Sequence, residues 1–153
     1  MIEPLSESQV IENLRQTEEP SAQYYAAWWL GKMRSRHPDA IPLLLTTLRA
    51  LKDTPVDPDR RGVALNAIRA LGLLQDDRAD ANLRDLLKST DYTVREEAAR
   101  SLGTMGSHAA AEAIRSLLDS GIDGAGREQP SSPLLQEPCE ALLEALGDIG
   151  ISD

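Results

Sequence analysis

Asp91-Tyr-Thr-Val-Arg-Glu-Glu-Ala-Ala-Arg-Ser-Leu-Gly103 is the stretch that decides the fold. Val94, Ala98, Ala99 and Leu102 recur at helical spacing and form one apolar stripe between charged residues. Asp91 can cap the start, because its carboxylate accepts from the open first-turn N–H groups. Gly103 suits a left-handed helix end. One helix of this length cannot bury its stripe alone, so its partners must lie elsewhere in the chain.

The Leu-Gly ending finds them. It recurs as Leu30-Gly31, Leu71-Gly72, Leu102-Gly103 and Leu146-Gly147, with glycine spacings of 41, 31 and 44. The shortest spacing is the basic period. The longer ones carry insertions, at Asp53 to Arg60 and within Gly121 to Pro133. Both stretches are rich in Pro, Gly, Ser and Asp, as loops are. Each unit also has an apolar stripe before its Leu-Gly helix. These are Val10, Ile11 and Leu14; Ile41, Leu44, Leu45 and Leu48; Leu83, Leu86 and Leu87; and Ala113, Ile114, Leu117 and Leu118. Four helical hairpins result, at roughly 7–35, 38–74, 78–105 and 108–150. Stacked hairpins bury faces that single ones expose. The expected architecture is an all-α, HEAT-like solenoid forming one domain over 1–153, with a four-helix bundle as the alternative. No polar capping repeat follows the last hairpin, which is expected to leave an apolar face for continuation or a partner.

Composition agrees. The 153 residues include no Phe, two Trp and three Tyr, so the core rests on Leu, Ile, Val and Ala rather than on the aromatics a sheet would use. The formal net charge of −9 disfavours nucleic acid, whose phosphates need clustered Lys and Arg. No apolar run reaches the length of a membrane span, and Met1 to Ser8 does not read as a signal peptide. One cysteine, Cys139, excludes an intrachain disulfide. It reads as a quiet interfacial thiol near a helix start. Two distant histidines offer no metal-ligand spacing. His37, in Arg36-His-Pro-Asp39, reads as a solvated turn residue, and His108 as a helix-start residue.

Superimposing the Leu-Gly dyads aligns the repeats. Ala22, Val63, Val94 and Pro138 share a core slot, as do Ala26, Ala67, Ala98 and Leu142. Tyr24 matches Leu65, Glu96 and Glu140; Tyr25 matches Asn66, Glu97 and Ala141. Trp28 matches Arg69, Arg100 and Glu144; Trp29 matches Ala70, Ser101 and Ala145. On a helical wheel started at Ala22, the core residues Ala26, Leu30 and Ala27 share one arc with it. Tyr24, Trp28, Tyr25 and Trp29 fall on the remaining arc, Trp29 nearest to Ala22. Four of the five aromatics thus gather away from the core stripe. One reading is a cap over the open side of the first repeat, above all for Trp29. The other is a binding wall. Rings followed on the same ladder by Arg69 and Arg100 suit a flat apolar ligand bearing carboxylates. Arg95 is expected to turn inward towards carboxylates such as Asp91.

Ile11-Glu-Asn-Leu-Arg-Gln-Thr-Glu-Glu19 followed by Tyr24-Tyr-Ala-Ala-Trp-Trp-Leu-Gly31 resembles the E subunit of the heterodimeric E/F-type phycobilin lyases of cyanobacteria. Val94 to Gly103 and Glu137 to Gly150 fit the same family. The resemblance covers nearly the whole chain and corresponds to the N-terminal half of the longer E subunits. It implies a cytoplasmic, phycobilisome-associated protein that works with an F-type subunit. It further implies attachment of phycocyanobilin, through a thioether, to a cysteine of the phycocyanin α subunit. Some relatives serve phycoerythrocyanin α and also isomerise the bilin. The bilin is substrate, and no cofactor or metal is expected. Tyr24, Tyr25, Trp28 and Trp29 would border the tetrapyrrole, and Arg69 and Arg100 would pair its propionates. No catalytic residue stands out. The alternative is a non-catalytic HEAT scaffold or chaperone that binds phycobiliproteins.

Overall fold

A computed structural model describes residues 6–116 and Ile149. Helices α1 (Glu7–Arg15), α2 (Pro20–Lys32), α3 (Ala40–Thr47) and α4 (Pro58–Leu74) are followed by α5 (Asp80–Leu86), α6 (Tyr92–Met105) and α7 (His108–Ser116). Short 3-10 turns extend α3 over Leu48–Lys52 and precede α5 over Asp77–Ala79. There is no strand among the described residues. The first three hairpins are therefore α1/α2, α3/α4 and α5/α6, as the Leu-Gly period predicts. The second helix of the fourth, with Leu117, Leu118, Pro138 and Cys139, lies outside the described residues. The contacts group the chain into two units, Met1–Asp76 and Asp77–Asp153.

Within the first unit, α1 packs on α2 and α3, and α2 and α3 pack on α4. First helices thus meet first helices, and second helices meet second. The core is aliphatic: Val10, Leu14, Leu30, Leu44, Ile68 and Leu71 are buried. Each such large side chain contributes roughly 1.5–3 kcal/mol on leaving water. In the second unit α5 packs on α6 and α7, burying Leu83, Leu87, Val94, Leu102 and Ile114. In α7 the fully buried positions are Ala110, Ala111 and Ile114, while Ala113 is only half-buried.

The helix ends have identifiable causes. Ser6 caps α1 in a reciprocal box: its Oγ accepts from the Gln9 N–H at 3.2 Å, while Gln9 Oε1 accepts from the Ser6 N–H at 3.0 Å. Asp91 caps α6 by accepting from the Thr93 and Val94 N–H groups. Gln16 fixes the α1–α2 turn, accepting from the Glu18 and Glu19 N–H groups and donating to the Asn13 and Glu19 carbonyls. The loop before α4 is shorter than the composition suggested. It ends at Asp57, and Pro58 opens the helix, where a missing N–H costs nothing.

The repeated glycine is not the helix end. Gly31, Gly72 and Gly103 all lie inside their helices, which run on to Lys32, Leu74 and Met105. Among the described residues the left-handed ones are Arg34, Gln75 and Gly106. Gly31 has a different task. A Cβ there would sit 2.7 Å from Ala70 Cα, so the glycine lets α2 and α4 cross almost backbone to backbone.

Candidate functional site on the outer face of α2

Helix α2 is apolar on both sides. Its inner arc buries Gln23, Ala26, Ala27, Leu30 and Gly31. Its outer arc carries Tyr24, Tyr25 and Trp28, each about half exposed at 48%, 48% and 47%. The wheel reading therefore holds, including the separation of Trp28 from Trp29, which is half-buried. The Tyr25 and Trp28 rings are neighbours, with centroids 5.6 Å apart and planes tilted by 35°. The separation is within the range of aromatic pairing, and the tilt is closer to parallel than to edge-to-face. Tyr24 leans over α4, where a Cβ on Gly62 would meet its ring at 3.9 Å.

The slots behave differently across the repeats. The slot of Trp28, Arg69 and Arg100 is exposed in all three described hairpins. That of Trp29, Ala70 and Ser101 is half-buried and then buried. Leu65 and Asn66 are buried, although Tyr24 and Tyr25 in the matching slots are exposed. Asn66 explains the contrast: its Nδ2 donates back to the Tyr24 carbonyl at 3.0 Å, filling the gap to the preceding second helix. Tyr25 has no such helix before it among the described residues.

Arg69 is joined to the aromatic helix through the same asparagine. Its Nη1 donates to Asn66 Oδ1 at 3.1 Å, so Asn66 receives from Arg69 and donates to α2. Arg69 is an exposed residue, yet its guanidinium is tied through Asn66 to the Tyr24 carbonyl. Arg100 belongs to the second unit, on α6. There its Nη2 donates to Glu96 at 2.9 Å, in a helix-surface ion pair. Tyr24, Tyr25, Trp28 and Arg69 thus belong to one pair of packed helices in the first unit.

Three expectations about single residues need correction or sharpening. Arg95 does turn inward, but its Nη1 donates to the Ser89 carbonyl at 2.6 Å rather than to Asp91, whose carboxylate faces the α6 N-terminus. Its Nε is buried without a partner. His37 is half-buried, and its Nδ1 accepts from the Asp39 N–H at 3.1 Å, so it shapes the turn into α3. His108 does start α7, with Ser107 as the cap: its Oγ accepts from the Ala110 N–H and pairs closely with Asp80. Composition could not show that Gln23 and Asn66 are buried tethers. A polar residue centred in an apolar arc was their only signal; Gln23 Nε2 donates to the Leu14 carbonyl at 3.1 Å.

Among the described residues no His, Cys, Asp and Glu cluster could hold a metal ion. No described helix is long and apolar enough to cross a membrane.

The PBS lyase HEAT-like repeat family matches residues 22–54, and the HEAT repeats family matches residues 56–129. The chain is 58% identical to the bilin biosynthesis protein RpcE of Synechococcus sp. strain WH8020, over 97% of its own length and 56% of that protein. It is 40% identical to the phycocyanobilin lyase subunit alpha of Picosynechococcus sp. strain PCC 7002, over 98% of its length and 55% of that subunit. The solved complex of CpcE and CpcF of phycocyanin lyase from Nostoc sp. PCC7120 contains a chain similar to it. The TM-score is 0.76 at 38% identity, covering 97% of this chain and 55% of that one. The chain spans about half the length of these relatives. Repeat period, buried slots and these similarities together make it a HEAT-repeat protein belonging to the family of E-type, or alpha, phycobilin lyase subunits.

Proposed function

We propose that the chain is a subunit of a phycobilin lyase that, together with an F-type partner, binds phycocyanobilin and attaches it to a cysteine of the phycocyanin α subunit. The observation that carries this is the outer face of α2. Three aromatic rings are held half exposed on a helix whose inner arc already fills the core. Burying such area against a guest is favourable, and an aliphatic core had no need of it. The names of the relatives, phycocyanobilin lyase subunits among them, support the same ligand.

In the attachment the acceptor thiol adds across an exocyclic double bond of the bilin. The sulfur bonds to one carbon, the thiol hydrogen ends on the other, and no oxidant or reductant is consumed. The acceptor supplies the nucleophile, so the lyase acts chiefly by holding the bilin in a reactive conformation. On this reading Tyr25 and Trp28 stack against the tetrapyrrole and Tyr24 borders it. Trp29, half-buried, supports Trp28 from behind. Arg69, on the same pair of packed helices, pairs a propionate, and a guanidinium can take a carboxylate through two parallel hydrogen bonds.

Reconstitution tests the reading. The chain, the F-type partner, phycocyanobilin and the phycocyanin α subunit should yield a covalent product that fluoresces with zinc on a denaturing gel. Binding of bilin and acceptor without an adduct would instead favour a scaffold.

A further inference from the structure

On the first unit a cavity of about 340 Å³ opens between the C-terminal ends of α1 and α3 and the start of α4. Its lining is divided by chemistry. Leu14, Leu43 and Val63 give an apolar wall, while Arg15, Arg49 and Arg60 bring three guanidinium groups against a single lining carboxylate, Asp53. This is unusual in a chain of net charge −9.

Two of the arginines are already engaged. Arg15 donates to Asp39 and Glu12 at 3.1 and 3.2 Å, and the Asp39 bond above all holds its pKa above the ordinary value. Arg60 donates to the Thr17 carbonyl at 2.9 Å and faces Asp57. The Arg49 side chain makes no hydrogen bond or ion pair among the described residues. Gln23 also lines the wall; it is 5% exposed and gives one N–H to the Leu14 carbonyl at 3.1 Å, which fixes its amide at the edge of the cavity.

We propose that this cavity binds a carboxylate carried on a short apolar stem, with the carboxylate on Arg49 and the stem against Leu14, Leu43 and Val63. The charge-assisted bond supplies selectivity for the acid, and the wall supplies apolar burial. Two sources share this chemistry: a free small acid, or a propionate arm of a larger ligand. The site does not depend on the bilin reading of α2.

The test is a titration of the full chain with hexanoate, followed through the backbone amide resonances of Leu43, Ala50 and Val63. Saturable shifts with about millimolar affinity are expected, as for a fragment of this size. Hexanamide, without the charge, should bind about tenfold more weakly, and so should hexanoate with Arg49→Gln, a change at an exposed side chain. A repeat with phycocyanobilin present assigns the source. Displacement identifies a propionate arm, and simultaneous binding identifies a separate small acid. Absence of saturable shifts at about fifty times the expected dissociation constant overturns the proposal, as does equal binding of hexanamide or by the Arg49→Gln chain.

Discussion

Gly31 and Ala70 hold α2 and α4 at a separation that no Cβ on residue 31 permits: it would lie 2.7 Å from Ala70 Cα and 2.9 Å from Ala70 Cβ. The obstacle is partly backbone, so no rotamer change relieves it. The Leu-Gly dyad of the first repeat is thus a crossing point of two helices. Everything the aromatic face is built on depends on that crossing.

The Gly31→Ala substitution gains about 1 kcal/mol of helix propensity. It also forces the helices apart, an overpacking cost of about 1–3 kcal/mol or more when backbone is the obstacle. The expected result is a net loss of stability and a lower urea midpoint, with Gly31→Leu worse still. An unchanged or raised midpoint for Gly31→Ala would show that the helices cross less closely.

The two tryptophans should separate cleanly. Trp28 is half exposed and its ring meets Tyr25, so Trp28→Ala should change stability by no more than about 1 kcal/mol. Trp29 is half-buried in a slot filled elsewhere by Ala70 and Ser101. Its replacement by alanine should cost about 2 kcal/mol. Thermal or urea unfolding measures both. The reverse order would place the wrong ring outside.

Asn66 links Arg69 to the α2 backbone, so it should matter twice. Asn66→Ala removes two hydrogen bonds at a buried position and should cost about 1–3 kcal/mol. It also removes one anchor of Arg69, and bilin affinity should fall even where the protein stays folded. A variant with wild-type affinity would mean that Arg69 needs no such anchor.

Asp91 offers a check on the second unit. Its carboxylate accepts from two N–H groups at the start of α6, and Asp91→Ala should destabilise that unit by about 1 kcal/mol. Hydrogen exchange at the first turn of α6 should rise accordingly. No change there would remove the capping role.

The fold was legible because its rule is local. An apolar stripe at helical spacing and a repeated dyad define hairpins, and Val94, Ala98 and Leu102 are buried where the alignment places them. The outward face of α2 was legible for the same reason, since wheel geometry needs only the helix. What escaped depends on neighbours far along the chain. Gly31 looked like a helix end because glycine serves both ends and close crossings, and only the approach of Ala70 decides between them. Arg95 was assigned a nearby carboxylate, yet Asp91 is occupied at the helix terminus and the Ser89 carbonyl takes the guanidinium. Pro58 looked like loop because proline both ends loops and begins helices. The buried amides Gln23 and Asn66 pair with backbone carbonyls that no side-chain pattern advertises.

That the outer face of α2 holds the bilin is the central claim. The most direct measurement is an equilibrium titration of phycocyanobilin into the chain bound to its F-type partner, read by bilin absorbance and circular dichroism. Wild type, Trp28→Ala and Tyr25→Ala should be compared at matched folded fraction. Losing a stacked ring costs about 1–3 kcal/mol, so each variant should bind at least about fivefold more weakly, with a reduced induced dichroism. Unchanged affinity and dichroism in both variants would contradict the account.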